Sequence, residues 1–337
     1  MHGLVHILVS VDNLIVAGKS HDGVQAVKNS VSATFDVRDM GEVKDFIGMK
    51  VMRDQVAKVL TLSHPGHVIV LLEASRMSNS TPDKTKMVSV AKLARTGGHL
   101  LPDGNRYAEL VGSLLYLSTT TRPVIAFAVG VLSRYMACPE EAHMRAAKGV
   151  LRYRRGATFL GVAYGAYKPL QGYVYTDWAG DVDARRSTTG FIFTLNGGPV
   201  LRGSKRESTV TTSTDEDEYV GAAVATKETL SFRMLSSDPG VDCGAFPMGE
   251  DNQACLALVK ISEATGRTKH VDVAYHMVRE YVARCAVTVY FLPSAEMPTD
   301  ELTKALPGPA FKAFRDAAGV ALDMGVAAGA REPDPAC

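Results

Sequence analysis

The sequence predicts an α/β (α+β) fold in which helices cover a mixed sheet. Strand-like segments come first in the C-terminal half, near residues 171–177 and 191–195. A long helix is expected over about 216–234, and strand-like and helical segments alternate after it. Strands followed by alternating helices and strands are typical of a mixed sheet with helices packed against it. The later segments are a strand ending near residue 250, helices near 252–260 and 270–284, a strand at 286–292 and a helix from about 298.

The N-terminal part contains shorter elements. Two apolar runs at residues 4–9 and 14–17 flank Val11, Asp12 and Asn13, and this pattern predicts a β-hairpin with an acidic tip. Further along, the patterns predict a helix around residues 24–31, strands at 46–52 and 58–62, a buried helix at 68–74 and an exposed connection over 78–105.

The composition excludes several classes of protein. The chain has 337 residues, 46% of them hydrophobic, and its 37 Lys and Arg against 36 Asp and Glu leave a net charge of +1. A strongly basic or acidic protein is therefore excluded. The five cysteines are scattered without a Cys-x-x-Cys pair, which argues against a disulfide framework and a cysteine-rich zinc site. No apolar run of membrane-spanning length occurs, so we expect an intracellular protein without a membrane segment.

One predicted helix carries a concentration of positive charge. Arg145, Lys148, Arg152 and Arg155 follow one another at steps of three, four and three, which places four cations on one helical face. Such a face can follow the phosphates of a nucleic acid, and it can equally be a solvated surface. The sequence alone leaves both interpretations open.

Four carboxylates stand at the end of a predicted strand or the edge of a helix: Asp177, Glu218, Asp251 and Asp300. Carboxylates gathered without Cys or His partners suit hard cations such as Mg²⁺ or Mn²⁺. Two such ions about 4 Å apart could activate a water and stabilise the leaving oxygen of a phosphodiester. Helix capping and solvated surface are the alternative explanation.

Trp178, the only tryptophan, is expected in the core.

A series of motifs resembles the C-terminal part of a copia-type retrotransposon polyprotein, from the end of the reverse transcriptase through the ribonuclease H domain. Two of them read Asp177-Trp-Ala-Gly-Asp181 and Leu302-Thr-Lys-Ala-Leu-Pro307. The other matching segments are 10–18, 39–48, 111–123, 128–136, 185–190, 251–253, 267–270 and 276–280. The resemblance covers roughly residues 4–320, in the order of the family.

The resemblance implies a division of the chain. A partial reverse-transcriptase palm and thumb would occupy residues 1–90, and a ribonuclease H-like mixed sheet with flanking helices would occupy 169–320. Between them, 91–168 would form a linker and the basic helical connection. The Ala-, Gly- and Pro-rich end, 321–337, is expected to be a disordered tail.

The resemblance also implies the ligands of two metal ions. Glu218, Asp251 and Asp300 fall on three of the four acidic positions of the family's ribonuclease H site. The first position is Tyr175 here, and a neutral phenol cannot replace a carboxylate that bridges two dications. Asp177 lies on the same strand face but about 6–7 Å further along. Asp177 could act as a substitute only if the strand slipped or the site adapted.

The N-terminal hairpin departs further from the family pattern. Asp12 remains, but Asn13 stands where the family has the second Asp of its polymerase pair, and the upstream strand that carries a third Asp is missing. We therefore expect no reverse transcriptase activity from this chain.

In the segment that ends at residue 270, Lys269 and His270 are expected to contact nucleic acid.

The function expected from the resemblance is cleavage of the RNA strand of an RNA–DNA hybrid by a two-metal (Mg²⁺ or Mn²⁺) ribonuclease, with impaired activity because of Tyr175. The alternative is a catalytically dead remnant that only binds nucleic acid. Either product would reside in a cytoplasmic particle or the nucleus.

Overall fold

The computed structural model describes residues 3–81, 93–95, 97–165, 167–208, 210–211, 213–237, 243–260, 269–304 and 308–322. The strands are β1 (Val5–Ser10), β2 (Asn13–Gly18), β3 (Asp45–Phe46), β4 (Met49–Asp54), β5 (Val59–Ser63), β6 (Leu160–Tyr164), β7 (Gln171–Asp177), β8 (Thr188–Leu195), β9 (Gly198–Arg206), β10 (Phe246–Glu250), β11 (Val287–Phe291) and β12 (Val320–Leu322). The α-helices are α1 (His21–Thr34), α2 (Pro65–Ala74), α3 (Gly104–Thr120), α4 (Ala126–Ser133), α5 (Glu141–Gly156), α6 (Thr214–Ser237), α7 (Gln253–Lys260), α8 (Lys269–Ala283) and α9 (Gly308–Ala317).

The predicted N-terminal hairpin is confirmed. Strands β1 and β2 pair antiparallel, with Ser10 opposite Asn13, and Val11 adopts a left-handed conformation (φ 49°) at the turn. Helix α1 packs against this hairpin, and Ser20 caps it by accepting a hydrogen bond from the Gly23 amide at 3.4 Å. The two strands form a separate two-stranded sheet in the described part of the chain.

The first five-stranded sheet has the order β12-β6-β5-β4-β3, and its neighbouring strands are antiparallel. Its edge strand β12 comes from the far end of the chain, so residues 320–322 return to the sheet that residues 45–63 begin. The tail expected over 321–337 therefore begins inside a strand, and residues 323–337 lie outside the described part. Helices α3, α4 and α5 form a shared apolar core beside this sheet.

The second five-stranded sheet has the order β11-β10-β7-β8-β9. Strands β7, β8 and β9 are antiparallel neighbours, whereas β10 runs parallel to both β7 and β11. Helices α6, α7 and α8 pack together around it, and Tyr219 and Ala222 of α6 share a buried cluster with Val174, Phe191 and Phe193 of the sheet. The predicted α/β class, with a mixed sheet and flanking helices, is confirmed.

Several local predictions need correction. Helix α3 was not predicted, yet Val111, Leu114 and Leu117 on it are fully buried. The helix expected from about 298 is a 3₁₀ turn over Pro298–Leu302, followed by α9. The prediction of Trp178 in the core is wrong, because 47% of this residue is exposed. Of the connection expected over 78–105, residues 82–92 and 96 lie outside the described part, and its last two residues belong to α3. No described helix is long and apolar enough to cross a membrane.

Candidate metal centre

Three elements of the second sheet bring acidic side chains together. Strand β10 runs parallel to β7 with Gly249 opposite Tyr173, so the ends of both strands lie at one edge of the sheet. Helix α6 begins beside this edge and is capped by Ser213, whose Oγ accepts a hydrogen bond from the Glu216 amide at 3.2 Å. One turn further on, Glu218 Oε2 accepts a hydrogen bond from the Thr176 amide of β7 at 2.9 Å. This bond fixes the Glu218 carboxylate of α6 against the sheet.

Glu218, Glu250 and Asp251 form a compact carboxylate group, hereafter the acidic triad. One oxygen from each residue lies within 4.8 Å of the others. Glu218 and Glu250 are buried and Asp251 is half-buried. Asp251 Oδ2 also accepts a hydrogen bond from Ser294 Oγ at 2.6 Å, on the open side of the group. Hard oxygen ligands without Cys or His suit Mg²⁺ or Mn²⁺, so the acidic triad fits one such cation.

The electrostatics of the acidic triad favour a cation. Burial, reinforced by the charges of Glu250 and Asp251, raises the pKa of Glu218 to about 10. Burial also raises the pKa of Glu250 to about 8. Like charges held close together in a desolvated place raise one another's pKa values because the charged forms repel. A divalent cation would relieve that repulsion and favour the ionised forms of Glu218 and Glu250.

Sequence reasoning missed Glu250. Motif resemblance pointed to Asp251 alone, and strict strand alternation would place neighbouring side chains on opposite faces. Strand β10 ends at Glu250, however, so alternation stops there. The chain then turns into α7, where Asn252 Oδ1 accepts from the Cys255 amide and Asn252 Nδ2 donates to Asp215 Oδ1, both at 2.9 Å. The sequence signal that could have identified Glu250 was a pair of adjacent acidic residues at the end of a predicted strand.

The side chain of Lys304 supplies a positive charge beside Tyr175 and Asp300. Lys304 Nζ lies 3.0 Å from Asp300 Oδ2, donates to the Tyr175 hydroxyl at 3.3 Å, and stands 4.9 Å from the centre of the Tyr175 ring. Burial works against the charge on Lys304, but the hydrogen bond to Asp300 and the charges around it raise its pKa. Burial also raises the pKa of Tyr175, which therefore stays a neutral phenol. This side, with one carboxylate already paired, does not fit a second divalent cation.

Asp177 lies at the end of β7 and turns toward the following loop. Its carboxylate occupies the space beside Gly180, where a Cβ atom would collide with it. Burial and the nearby charges of Asp217 and Asp300 raise the pKa of Asp177, while Lys304 lowers it. Within the described residues, neither Asp177 nor Asp300 joins the acidic triad. The structure thus brings together two of the four expected ligands, Glu218 and Asp251.

The remaining expected residues lie elsewhere. Helix α5 presents Arg145 and Lys148 to solvent, with Arg152 and Arg155 half-buried, and Arg145 pairs with Glu141 at 3.5 Å. Lys269 and His270 begin α8, and their side chains lie outside the described part. At the N-terminal hairpin, Asp12 and Asn13 are exposed at the turn.

A second buried acidic pair lies near the acidic triad without belonging to it. Glu207 Oε1 accepts a hydrogen bond from Thr189 Oγ1 at 2.7 Å, and Asp217 Oδ1 accepts one from Thr211 Oγ1 at 2.6 Å. Burial, followed by the charge of Asp217, raises the pKa of Glu207 to about 8 from an ordinary 4.5. The folded chain therefore retains a proton here that the unfolded chain releases well below neutral pH.

This pair predicts a pH dependence of stability. Because a raised carboxyl pKa stabilises the fold only while the group stays protonated, the free energy of unfolding should fall as the pH rises from about 5 to about 8. Glu207→Gln, which cannot ionise, should remove part of this fall and raise the melting temperature at the alkaline end by a few degrees. Thermal unfolding in EDTA across this pH range measures both effects. Superimposable pH profiles for the two proteins would contradict the assignment.

Comparison with curated proteins identifies the family. Over 326 residues the chain is 34% identical to the retrovirus-related Pol polyprotein from transposon TNT 1-94 of Nicotiana tabacum, covering 95% of this chain and 24% of that protein. It is 32% identical over 320 residues to the Pol polyprotein from transposon RE1 of Arabidopsis thaliana, covering 94% and 22%. An uncharacterized mitochondrial protein of A. thaliana is 32% identical over 243 residues, covering 70% of this chain and 98% of that protein. The chain belongs to the retrotransposon Pol polyprotein family.

The retrotransposon polyprotein family predicted from the motifs is thereby confirmed. The Pol chain spans about a quarter of the length of the two transposon polyproteins, 24% and 22%. No family model matches it. Among solved structures, the foamy viral protease-reverse transcriptase in complex with double-stranded DNA has a TM-score of 0.48 at 11% identity, covering 86% of this chain and 46% of that chain. LC11-RNase H1 in complex with an RNA/DNA hybrid has a TM-score of 0.31 at 12% identity, covering 40% and 93%.

Proposed function

We propose that this copia-type Pol chain is a divalent-cation-dependent nuclease that cleaves the RNA strand of RNA–DNA hybrids at a reduced rate. The observation that carries the proposal is the acidic triad, in which Glu218 of α6 meets Glu250 and Asp251 at the end of β10. The family membership and the mixed sheet that holds the triad support the same reaction. The domain division expected from the sequence, with the nuclease over 169–320, is part of this proposal.

The residues of the site have distinct roles in this proposal. Glu218, Glu250 and Asp251 hold the cation, and the hydrogen bond from the Thr176 amide keeps Glu218 in position. When bound, the cation would activate a water and stabilise charge on the scissile phosphodiester. The sequence resemblance implies a two-ion site, but a second ion would require Asp300 to release Lys304. We therefore expect slow turnover that Mn²⁺, which accepts less regular ligand sets, supports better than Mg²⁺.

The proposed substrate is an RNA–DNA hybrid, gripped partly by phosphate contacts. The exposed cations Arg145 and Lys148 on α5, together with Arg152, Arg155, Lys269 and His270, would neutralise backbone charge. Trp178 is exposed immediately after β7, where its ring could stack on a base or sugar. Hybrids arise wherever reverse transcription occurs, in a cytoplasmic particle or the nucleus.

The test is cleavage of a hybrid labelled on its RNA strand by the purified full-length chain. We expect product in Mn²⁺, less product in Mg²⁺ and none in EDTA. The DNA strand of the same hybrid and a duplex RNA should stay intact, because the proposed activity is selective for RNA paired to DNA. Cleavage in EDTA, or equal cleavage of duplex RNA, would contradict the proposal.

The second candidate is a chain that binds hybrids without cleaving them. The observation that favours it is the contact of Lys304 with Tyr175 and Asp300, which pairs one expected ligand with an ammonium group beside a residue that carries no carboxylate. Hybrid binding by folded protein, with no product in Mn²⁺ after long incubation, would select this candidate.

Both candidates predict a role for the basic face of α5. The double variant Arg145→Glu/Lys148→Glu removes two exposed cations, so the slope of log affinity against log salt should become shallower by about 2. At low salt its hybrid affinity should fall about tenfold or more. Fluorescence anisotropy from about 50 to 200 mM salt measures both quantities. An exposed-site control, Arg106→Glu on α3, should retain the wild-type slope, and an unchanged slope in the double variant would remove α5 from the interface.

A further inference from the structure

We infer that the acidic triad binds a single divalent cation and that Glu250 is one of its ligands, replacing the carboxylate missing at Tyr175. The inference also assigns the Lys304 ammonium to the place of a second cation beside Asp300. It rests on the proposed function for the reaction that the site would perform, but not for the binding itself. Its test therefore measures metal binding without measuring cleavage.

The first support is the unsatisfied side chain of Glu250. This residue is 0% exposed, and its Oε1 accepts a hydrogen bond from the Asn252 amide at 3.2 Å. In the described part of the chain, its Oε2 has no hydrogen-bond partner. A buried carboxylate oxygen without a partner is costly, and a cation shared with Glu218 and Asp251 supplies that partner.

The second support is geometric. Two oxygens on opposite sides of Mg²⁺ or Mn²⁺ lie about 4.0–4.4 Å apart, since each metal–oxygen bond is about 2.0–2.2 Å long. The three oxygens of the acidic triad already lie within 4.8 Å of one another. One cation can therefore bridge all three with small side-chain adjustments, and its remaining positions would face the half-buried side where Asp251 lies.

The third support concerns charge balance on the other side of Tyr175. Asp300 contributes the remaining carboxylate of the expected set, and its charge is already matched by Lys304 Nζ at 3.0 Å. The Tyr175 hydroxyl accepts a hydrogen bond from the same ammonium and adds no negative charge. A second dication here would face the Lys304 ammonium, which is already paired with Asp300, so one ion per chain is the expected stoichiometry.

The experiment is a titration of the full-length chain with Mn²⁺, in which the electron paramagnetic resonance signal reports free ion. We expect a single bound Mn²⁺ per chain, displaced by Mg²⁺. Glu250→Gln keeps the size of the side chain and removes its charge, so it should weaken Mn²⁺ binding by about tenfold or more. Glu207→Gln, the same change at another buried glutamate outside the acidic triad, should bind Mn²⁺ as the wild type does.

A second readout separates ligation from folding. Glu250→Gln removes repulsion within the acidic triad, so without metal its melting temperature should equal or exceed that of the wild type. Mn²⁺ should raise the melting temperature of the wild type and of Glu207→Gln, and leave that of Glu250→Gln nearly unchanged. If Glu250→Gln does not fold, Glu250→Asp provides the same test, because its shortened side chain should also weaken binding.

Several outcomes would overturn the inference: two tightly bound Mn²⁺ per wild-type chain, no Mn²⁺ binding, or wild-type affinity in the folded Glu250 variant. Absence of binding would mean that Glu218 and Glu250 are satisfied by protons instead of a cation. A chain that binds one Mn²⁺ through Glu250 but leaves hybrids intact would keep the inference and refute the proposed nuclease. Hybrid cleavage by the wild type, together with unaltered Mn²⁺ affinity in the Glu250 variant, would keep the proposed nuclease and refute the inference.

Discussion

Tyr175→Asp is expected to raise the rate of hybrid cleavage by about tenfold or more, the largest gain that a single change can give in this chain. The phenol accepts a hydrogen bond from Lys304, which is also paired with Asp300. A carboxylate in its place would add the missing negative charge and give Asp300 a partner for a second cation. The second Mn²⁺ should then appear in the metal titration, together with the faster rate.

The matched control is Tyr175→Asn, which has the size of the aspartate variant without its charge. It removes the ring and the phenolic hydroxyl equally, so any benefit from simply opening the site should appear in both variants. Single-turnover cleavage in Mg²⁺ measures the difference between them. If Tyr175→Asp were no faster than Tyr175→Asn, the missing carboxylate would not be the reason for slow turnover.

Asp251→Asn is expected to reduce hybrid cleavage by about a hundredfold or more, because it removes the half-buried ligand of the acidic triad. The amide can still accept the hydrogen bond that Ser294 donates to Asp251, so the fold should be preserved. Thermal unfolding checks that point, and the rate of RNA cleavage in Mn²⁺ gives the effect.

An exposed carboxylate serves as the control for this loss. Asp316→Asn on α9 changes the same functional group at a surface position, and it should cleave at the wild-type rate. Retained cleavage in Asp251→Asn would indicate either a contaminating nuclease or a site elsewhere in the chain. Equal loss in both variants would point to an effect on folding rather than on metal binding.

The sequence alone was sufficient for the parts of this protein that depend on local pattern. The hairpin at residues 5–18 follows from two short apolar runs around a turn, and the mixed α/β class follows from strands preceding alternating helices and strands. The family followed from ordered motifs, and comparison with known proteins confirms it. Glu218 and Asp251, whose carboxylates lie together in the structure, were predicted as ligands in the same way, because each belongs to a contiguous motif.

Other features depend on contacts between distant segments. Helix α3 has glycine at residues 104 and 112 and a Ser/Thr-rich end, so its local helix signal is weak, and burial against α4 and α5 stabilises it. Trp178 is exposed although it is large and apolar, because it lies just past the end of β7. Neither outcome can be read from residue type alone.

The site shows the same division between local pattern and tertiary contact. Its motif residues were evident from the sequence, but the partnership of Glu250 with Glu218 required the parallel pairing of β10 with β7 and the packing of α6 on that pair. Likewise, Lys304 meets Tyr175 across 129 positions of chain. A sequence records which charges exist, whereas their desolvation and mutual distances, which determine whether they bind a proton, an ammonium or a metal ion, arise only when the chain folds.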